Sequence, residues 1–119
     1  MVDFLVIGSG LAGMLFALKA AERGRVLLLT KNELGESNSR YAQGGIAAVW
    51  DQEDTFAEHV QDTLVAGAGL CRRDAVDFVV ENGPRRVQEL IDRGVAFSGE
   101  LGREGGHGRR RILLSLIHI

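Results

Sequence analysis

Apolar residues crowd the start of the chain. Asp3-Phe4-Leu5-Val6-Ile7 is a short, branched apolar run stopped by Gly8, the pattern of a strand buried on both faces. Leu11 to Arg23 changes period: Leu11, Leu15, Leu18 and Ala21 recur at helical spacing, Lys19, Glu22 and Arg23 are polar, and Gly24 stands where a C-terminal cap is expected. Val26 to Thr30 is a second apolar run of strand length. A strand, a helix and a strand in succession predict an α/β unit whose two strands lie parallel.

Lys31 to Asp51 is rich in Gly, Ser and Asn, with Ile46 to Trp50 as a candidate strand. Asp54-Thr55 opens the next helix, because Thr55 and Glu58 have capping-box spacing and Phe56, Val60 and Leu64 share a face. Gly67 and Gly69 end it. Asp74 is expected to cap a helix over Ala75 to Asn82 that Gly83 stops, and Pro84 to restart another through Val87, Leu90 and Ile91 to Gly94. These helices read as packing elements, and no internal repeat is visible.

Composition narrows the class. The 119 residues include 16 Gly, 1 Pro and 1 Cys, 45% are apolar and the formal net charge is -2, which leaves room for at most one globular domain and excludes a collagen, a low-complexity linker or a coiled coil. A single cysteine builds neither a disulfide framework nor a Cys-only zinc site, no metal site is expected, and Cys71 reads as a small buried apolar residue. Slight acidity argues against a nucleic-acid partner, and Arg109-Arg110-Arg111 reads as a solvated run. Phe4 to Leu18 carries no charge but is too short for a bilayer and is interrupted by glycines, so no membrane partner is expected. Asp3 stands where an export signal needs positive charge, which together with the lone cysteine points to the cytoplasm.

Candidate chemistry begins at the first turn. Gly8-Ser9-Gly10-Leu11-Ala12-Gly13 matches the dinucleotide fingerprint: the first glycine permits the tight turn, the second lets a pyrophosphate approach the backbone, and the third lets helix and strand pack closely. The helix start then presents amides to the phosphates. The fingerprint also expects an acid about 20 residues on, where this chain reads Thr30-Lys31-Asn32-Glu33. Lys31 suits a phosphate, as in NADP, or is an exposed strand-end lysine, and Glu33 is a late substitute for the acid. Ser37 to Gly45 concentrates small hydrogen-bonding residues and two adjacent glycines, which suits either a loop against a flat polar ring or a surface loop.

Taken together, Asp3 to Gly13, Thr30-Lys31, Tyr41-Ala42-Gln43-Gly44-Gly45-Ile46-Ala47-Ala48 and Arg103-Glu104-Gly105-Gly106-His107 closely resemble the N-terminal part of the L-aspartate oxidase family, within the flavoprotein group of succinate dehydrogenase and fumarate reductase. The resemblance covers residues 2 to about 113. It implies a Rossmann-like FAD-binding domain with a parallel sheet and packed helices, incomplete in this chain. It further implies non-covalent FAD, oxidation of L-aspartate to iminoaspartate as the first step of NAD biosynthesis through quinolinate, oxygen or fumarate as acceptor, and a functional link to quinolinate synthase.

Carried over by match, Gly8, Ser9, Gly10, Leu11, Ala12 and Gly13 would hold the pyrophosphate and Lys31 the adenosine end. The family tolerates lysine there, which weakens the NADP reading. Asn38, Ser39, Arg40, Tyr41, Ala42, Gln43, Gly44 and Gly45 would line the flavin. Glu104 matches an acid that orients the substrate ammonium, with His107 in the same loop; the catalytic arginine and most dicarboxylate ligands would lie beyond residue 119. The expected division is a strand-helix-strand unit with its flavin loop over 1–50, a helical segment over 51–95, a substrate-loop segment over 96–113 and a non-native tail over 114–119.

Two departures stand out: Gly108 replaces the family's usual serine, and the sequence after Leu113 leaves the family pattern. Two alternatives remain. One is a succinate dehydrogenase or fumarate reductase flavoprotein subunit, whose covalent members carry a histidine in the loop where this chain has Asn38 to Tyr41 and usually read Phe-Gly-Gly at Glu104-Gly105-Gly106. The other is a non-catalytic dinucleotide-binding module.

Overall fold

The computed structural model describes residues 1–41 and 44–115. The chain divides into two compact units, Met1–Gln43 and Gly44–Ile119. In the first, β1 (Phe4–Ile7), α1 (Leu11–Ala21) and β2 (Val26–Leu29) form the predicted parallel unit, with Phe4 opposite Val26 and Ile7 opposite Leu29. Asp3 fastens the open end, its carboxylate accepting from the Arg25 amide at 2.8 Å. A single turn of helix, α2 (Asn38–Tyr41), follows.

The inward face of α1 differs from the expected leucine stripe. Leu15 is half-buried as expected, but Leu11 and Leu18 are 41% and 55% exposed, and the face that contains the buried Ala20 is Gly13, Ala17 and Ala20. Small residues win because α1 starts directly after the Gly8 to Gly10 turn and must lie close to β1. A Cβ on Gly13 would run into the carbonyl oxygen of Gly8 and stand 3.1 Å from its carbon. Nor are the strands buried on both faces: Val6 is buried, whereas Leu5, Ile7, Leu27 and Leu29 are exposed. Gly24 does not act as a left-handed cap either. It is needed for space, since a Cβ there would sit 3.0 Å from the Asp3 side chain.

The second unit combines two helices with a sheet. α3 (Phe56–Ala66) starts where predicted, Thr55 Oγ1 accepting from the Glu58 amide at 3.1 Å. Val60 is buried as expected but Phe56 is exposed, and the buried companion of Val60 is His59. α4 (Arg73–Asp92) is one continuous helix through Gly83 and Pro84, not two. Proline inside a helix costs about 3 kcal/mol, but Val80, Val87 and Leu90 keep helical spacing across it and all three are buried, at about 1.5–3 kcal/mol each. Burial therefore decides. Asn82 donates its side-chain amide to the Phe78 carbonyl at 2.8 Å, just before the proline. Gly94, at φ +96, ends α4 in a Schellman motif: its amide bonds Ile91 O at 2.9 Å and that of Val95 bonds Leu90 O at 3.0 Å.

Three strands, β3 (Gly45–Ala47), β4 (Phe97–Gly102) and β5 (Ile112–Ser115), form an antiparallel sheet in the order β3-β5-β4. The candidate strand at Ile46 to Trp50 thus forms slightly earlier, and β4 and β5 lie outside the predicted elements. Leu114 pairs with Gly45 and Ser115 with Phe97. The core of the unit is Ala48, Val87 and Leu113, flanked by Ile46, Trp50, Ile91, Phe97 and Leu101. Among the described residues no helix is long and apolar enough to cross a membrane.

Candidate functional site

The first unit carries a cleft of about 640 Å³ at the carboxyl ends of its two strands. Ile7 to Gly10 form one wall, Leu29, Thr30 and Lys31 the floor, and Glu36, Ser37, Asn38 and Ser39 the other wall. Gly8, at φ +108, makes the turn out of β1, and its amide bonds the Leu29 carbonyl at 2.8 Å. Ser9 is buried and donates to Thr30 Oγ1 at 3.0 Å, tying the turn to the end of β2. Leu11 opens α1 and donates its amide to Ser39 Oγ at 3.2 Å.

Gly10 separates what the protein needs from what a ligand needs. Its φ of -69° suits any residue, and among the described residues an added Cβ would meet only Ser39 Oγ, at 3.5 Å. The described residues give no reason for glycine at this position, whereas a phosphate approaching the backbone does. Gly10 is also the N-cap of α1 and supplies no side-chain cap; Ser39 Oγ takes the Leu11 amide instead, at the place where a helix start receives an anion. Gly13 is different, for its demand for glycine comes from the Gly8 carbonyl in the turn that follows β1. This donor set fits the pyrophosphate of FAD.

Of the residues expected to hold the cofactor, Gly8, Ser9, Gly10, Lys31, Asn38 and Ser39 line this cleft. Leu11 joins through its amide, Ala12 continues α1, and Arg40 lies with its guanidinium over Gly35. Tyr41 donates its hydroxyl to Glu36 Oε1 at 2.6 Å. Ala42 and Gln43 lie outside the described residues. Gly44 has φ +131 and Gly45 begins β3, both in the second unit. Glu33, the substitute acid proposed from spacing, is not among the residues lining the cleft, whereas Glu36 is. The turn in which Glu36 N bonds Glu33 O at 2.9 Å accompanies this exchange.

The second unit holds the other motif. Glu104 and His107 lie on the loop between β4 and β5, where His107 N bonds Glu104 O at 3.2 Å and Gly106 takes φ +85. Glu104 is exposed and His107 is half-buried, its ring centroid 5.6 Å from that of His59. Beneath the loop Arg111 is fully buried, which corrects the expectation of a solvated arginine run. Its Nε and Nη2 bond Asp54 at 2.8 and 2.6 Å, and its Nη1 bonds Asp62 Oδ2 at 2.7 Å. That same oxygen accepts from the Gly108 amide at 2.6 Å.

Electrostatics follow the contacts. The Gly108 amide, first, holds the Asp62 carboxyl below its ordinary range; burial opposes it, and the bond and charge of Arg111 add to the lowering. Burial pushes His59 down, and the charges of Arg111 and His107 push it the same way. For Arg111 burial works downward, but Asp54 and Asp62 together raise it. Asp54, His59, Asp62 and Arg111 were not singled out from the sequence. A signal for them exists: acids at 54, 58 and 62 repeat at one helical turn, and arginines at 109 and 111 share one side of an extended segment.

Comparison with known proteins agrees with this geometry. The chain is 50% identical to the L-aspartate oxidase of Yersinia pestis over 93% of its own length and 23% of that protein's, and equally identical to a chloroplastic L-aspartate oxidase of Nicotiana tabacum, of which it covers 18%. Among solved structures, E. coli quinol fumarate reductase superposes on 94% of this chain and 21% of its own, with a TM-score of 0.86 at 30% identity. The chain thus spans less than a quarter of the curated relatives it matches. The family model described as FAD binding domain matches residues 3–118, and the chain belongs to that family.

Proposed function

We propose that this chain is the N-terminal part of a flavoenzyme that oxidises L-aspartate to iminoaspartate. The observation that carries this reading is the 50% identity to L-aspartate oxidases over 93% of the chain, well above the 30% shared with the fumarate reductase. Bound FAD supplies the hydride acceptor. The chain's own residues do the rest: the start of α1 and the Ser9-Gly10 backbone receive the pyrophosphate, and Lys31 with Glu36 receives the adenosine end. Residues 38–45 are proposed to line the flavin. No histidine or cysteine lies between Lys31 and Trp50, which supports a non-covalent flavin.

Glu104 is proposed to orient the substrate ammonium, with His107 beside it, and residues 96–113 form the substrate-loop segment. Fumarate or oxygen takes the electrons, and iminoaspartate passes to quinolinate synthase in NAD biosynthesis. A reducing compartment, the cytoplasm, suits a chain with one cysteine. The fold likeness to fumarate reductase favours a second reading, a fumarate reductase or succinate dehydrogenase flavoprotein.

The substrate tests between them. Aspartate and succinate differ by one ammonium group, and losing a charge-assisted hydrogen bond to it weakens recognition about tenfold or more. Glu104→Gln in the full-length protein should lower kcat/KM for aspartate by about that factor and change fumarate reduction much less. Equal losses would limit Glu104 to supporting the loop, no loss in either would make it a solvent-exposed residue, and no aspartate oxidation by the parent protein would reject the proposal.

A further inference from the structure

The loop carrying Glu104 and His107 has few means of holding its shape. It is rich in glycine, Glu104 and Arg110 are exposed, and its internal bond is the 3.2 Å contact of His107 N with Glu104 O. Beside the ring contact of His107 with His59, two polar contacts tie it to α3. One is Arg109 with Glu58 Oε1, at 3.1 and 3.3 Å, but both side chains are close to half-exposed, and pairs of that kind contribute little in water. The other is the amide of Gly108, which donates to Asp62 Oδ2 at 2.6 Å.

The second tie is built differently from the first. The Asp62 oxygen that holds the loop is itself held at 2.7 Å by Arg111, which is fully buried and locked by two bonds to the equally buried Asp54. An acceptor fixed in this way does not have to be ordered when the loop docks, so its bond is stronger than that of a free surface carboxylate. Close packing adds direction. A Cβ at position 108 would stand 3.1 Å from Asp62 Oδ2, so the backbone sits as near the carboxylate as glycine permits.

We infer that Asp62, held by Arg111 and Asp54, is the positioning residue that fixes the Glu104-His107 loop on α3 and thereby sets the place of Glu104 toward substrate. The inference rests on the reading of Glu104 given above. Asp62 touches neither substrate nor cofactor in this role; it acts through the Gly108 backbone. His107, one residue before the anchor, packs its ring against His59, so the anchor also determines where that ring lies.

Two variants of the full-length, FAD-loaded protein test this, with two readouts. Asp62→Ala removes the acceptor, and Asp62→Asn keeps an oxygen for the Gly108 amide. Trypsin cleavage after Arg103, Arg109 and Arg110 reports loop opening without reference to substrate, and KM and kcat for aspartate report the position of Glu104. Asp62→Ala should speed cleavage roughly tenfold and raise KM for aspartate by about the same factor, with a smaller change in kcat and unchanged FAD content. Asp62→Asn should restore most of both. Unchanged cleavage in Asp62→Ala, equal defects in the two variants, or a parallel loss of FAD would overturn the inference.

Glu104→Gln serves as the internal reference. If it raises KM and Asp62→Ala does not, the positioning role fails while the reading of Glu104 stands. If Glu104→Gln leaves KM unchanged, the reading of Glu104 fails and takes the positioning role in substrate binding with it. Faster trypsin cleavage of Asp62→Ala would then support Asp62 as the anchor of the loop alone.

Discussion

Gly13 and Gly10 occupy one fingerprint but are glycines for opposite reasons, and substituting each with alanine separates the two. At position 13 the new Cβ would stand 3.1 Å from the Gly8 carbonyl carbon and nearer still to its oxygen, whereas carbon pairs are optimal at about 3.5–4.0 Å. That wall is backbone at a turn, with no flexible side chain to yield, so α1 has to retreat from β1. Overpacking costs about 1–3 kcal/mol, and a rigid wall puts Gly13→Ala at the upper end. Alanine's better helix propensity returns about 1 kcal/mol, leaving a net loss of about 2 kcal/mol. Among the described residues Gly10→Ala meets only Ser39 Oγ at 3.5 Å, so it should leave the FAD-free protein as stable as before. Its methyl group would instead stand between the backbone and the pyrophosphate. Thermal midpoints of the FAD-free full-length protein, followed by FAD titration, read both effects: Gly13→Ala lowers the midpoint by several degrees, and Gly10→Ala keeps the midpoint but weakens FAD binding at least about tenfold, or 1.4 kcal/mol. An unchanged midpoint in Gly13→Ala, or parental FAD affinity in Gly10→Ala, would refute the assignment of the two glycines.

Arg111→Met strands the fully buried Asp54 carboxylate and should destabilise the full-length protein by about 3–5 kcal/mol, with part of the loss recovered when Asp54→Asn is added; independent effects in a thermal double-mutant cycle would contradict the network. His59 has a second, pH-dependent consequence. Burial holds its folded pKa below 6.5, so between 6.5 and that lower value the unfolded chain binds the proton more readily. Stability attributable to His59 is therefore complete above pH 6.5 and falls as the pH drops below it. The gap between thermal midpoints at pH 7.5 and 5.5 should narrow in His59→Gln, and a parental gap in that variant would exclude His59 as a source.

What the sequence made legible was local. The strand-helix-strand order, the Thr55 cap and the fingerprint turn each arise from neighbours within a few residues, and pattern reports such neighbours directly. The inward face of α1 escaped because periodicity assumes that large apolar residues point to the core, whereas close approach to β1 requires Gly13, Ala17 and Ala20 there. Pro84 was read as a boundary, since a local rule cannot weigh the burial of Val80, Val87 and Leu90 on both sides of it. Arg111 escaped for the same reason. Its partners stand 49 and 57 residues away, and a solvated arginine looks the same in sequence as one buried between two carboxylates.

Those separations give the second unit an order of assembly. At a synthesis rate of about 5–20 residues per second, Asp54 is made roughly 3–11 s before Arg111. During that interval the carboxylates of Asp54 and Asp62 lack Arg111, and the strand that follows Arg111 does not yet exist. α3 and α4 are local elements and form early, but β5 pairs with segments distant in sequence, and such contacts form late. The Glu104-His107 loop is thus among the last parts of this segment to be set. Closure of the chain on Arg111 takes Asp54 out of water and completes the pair that holds Asp62 against the loop.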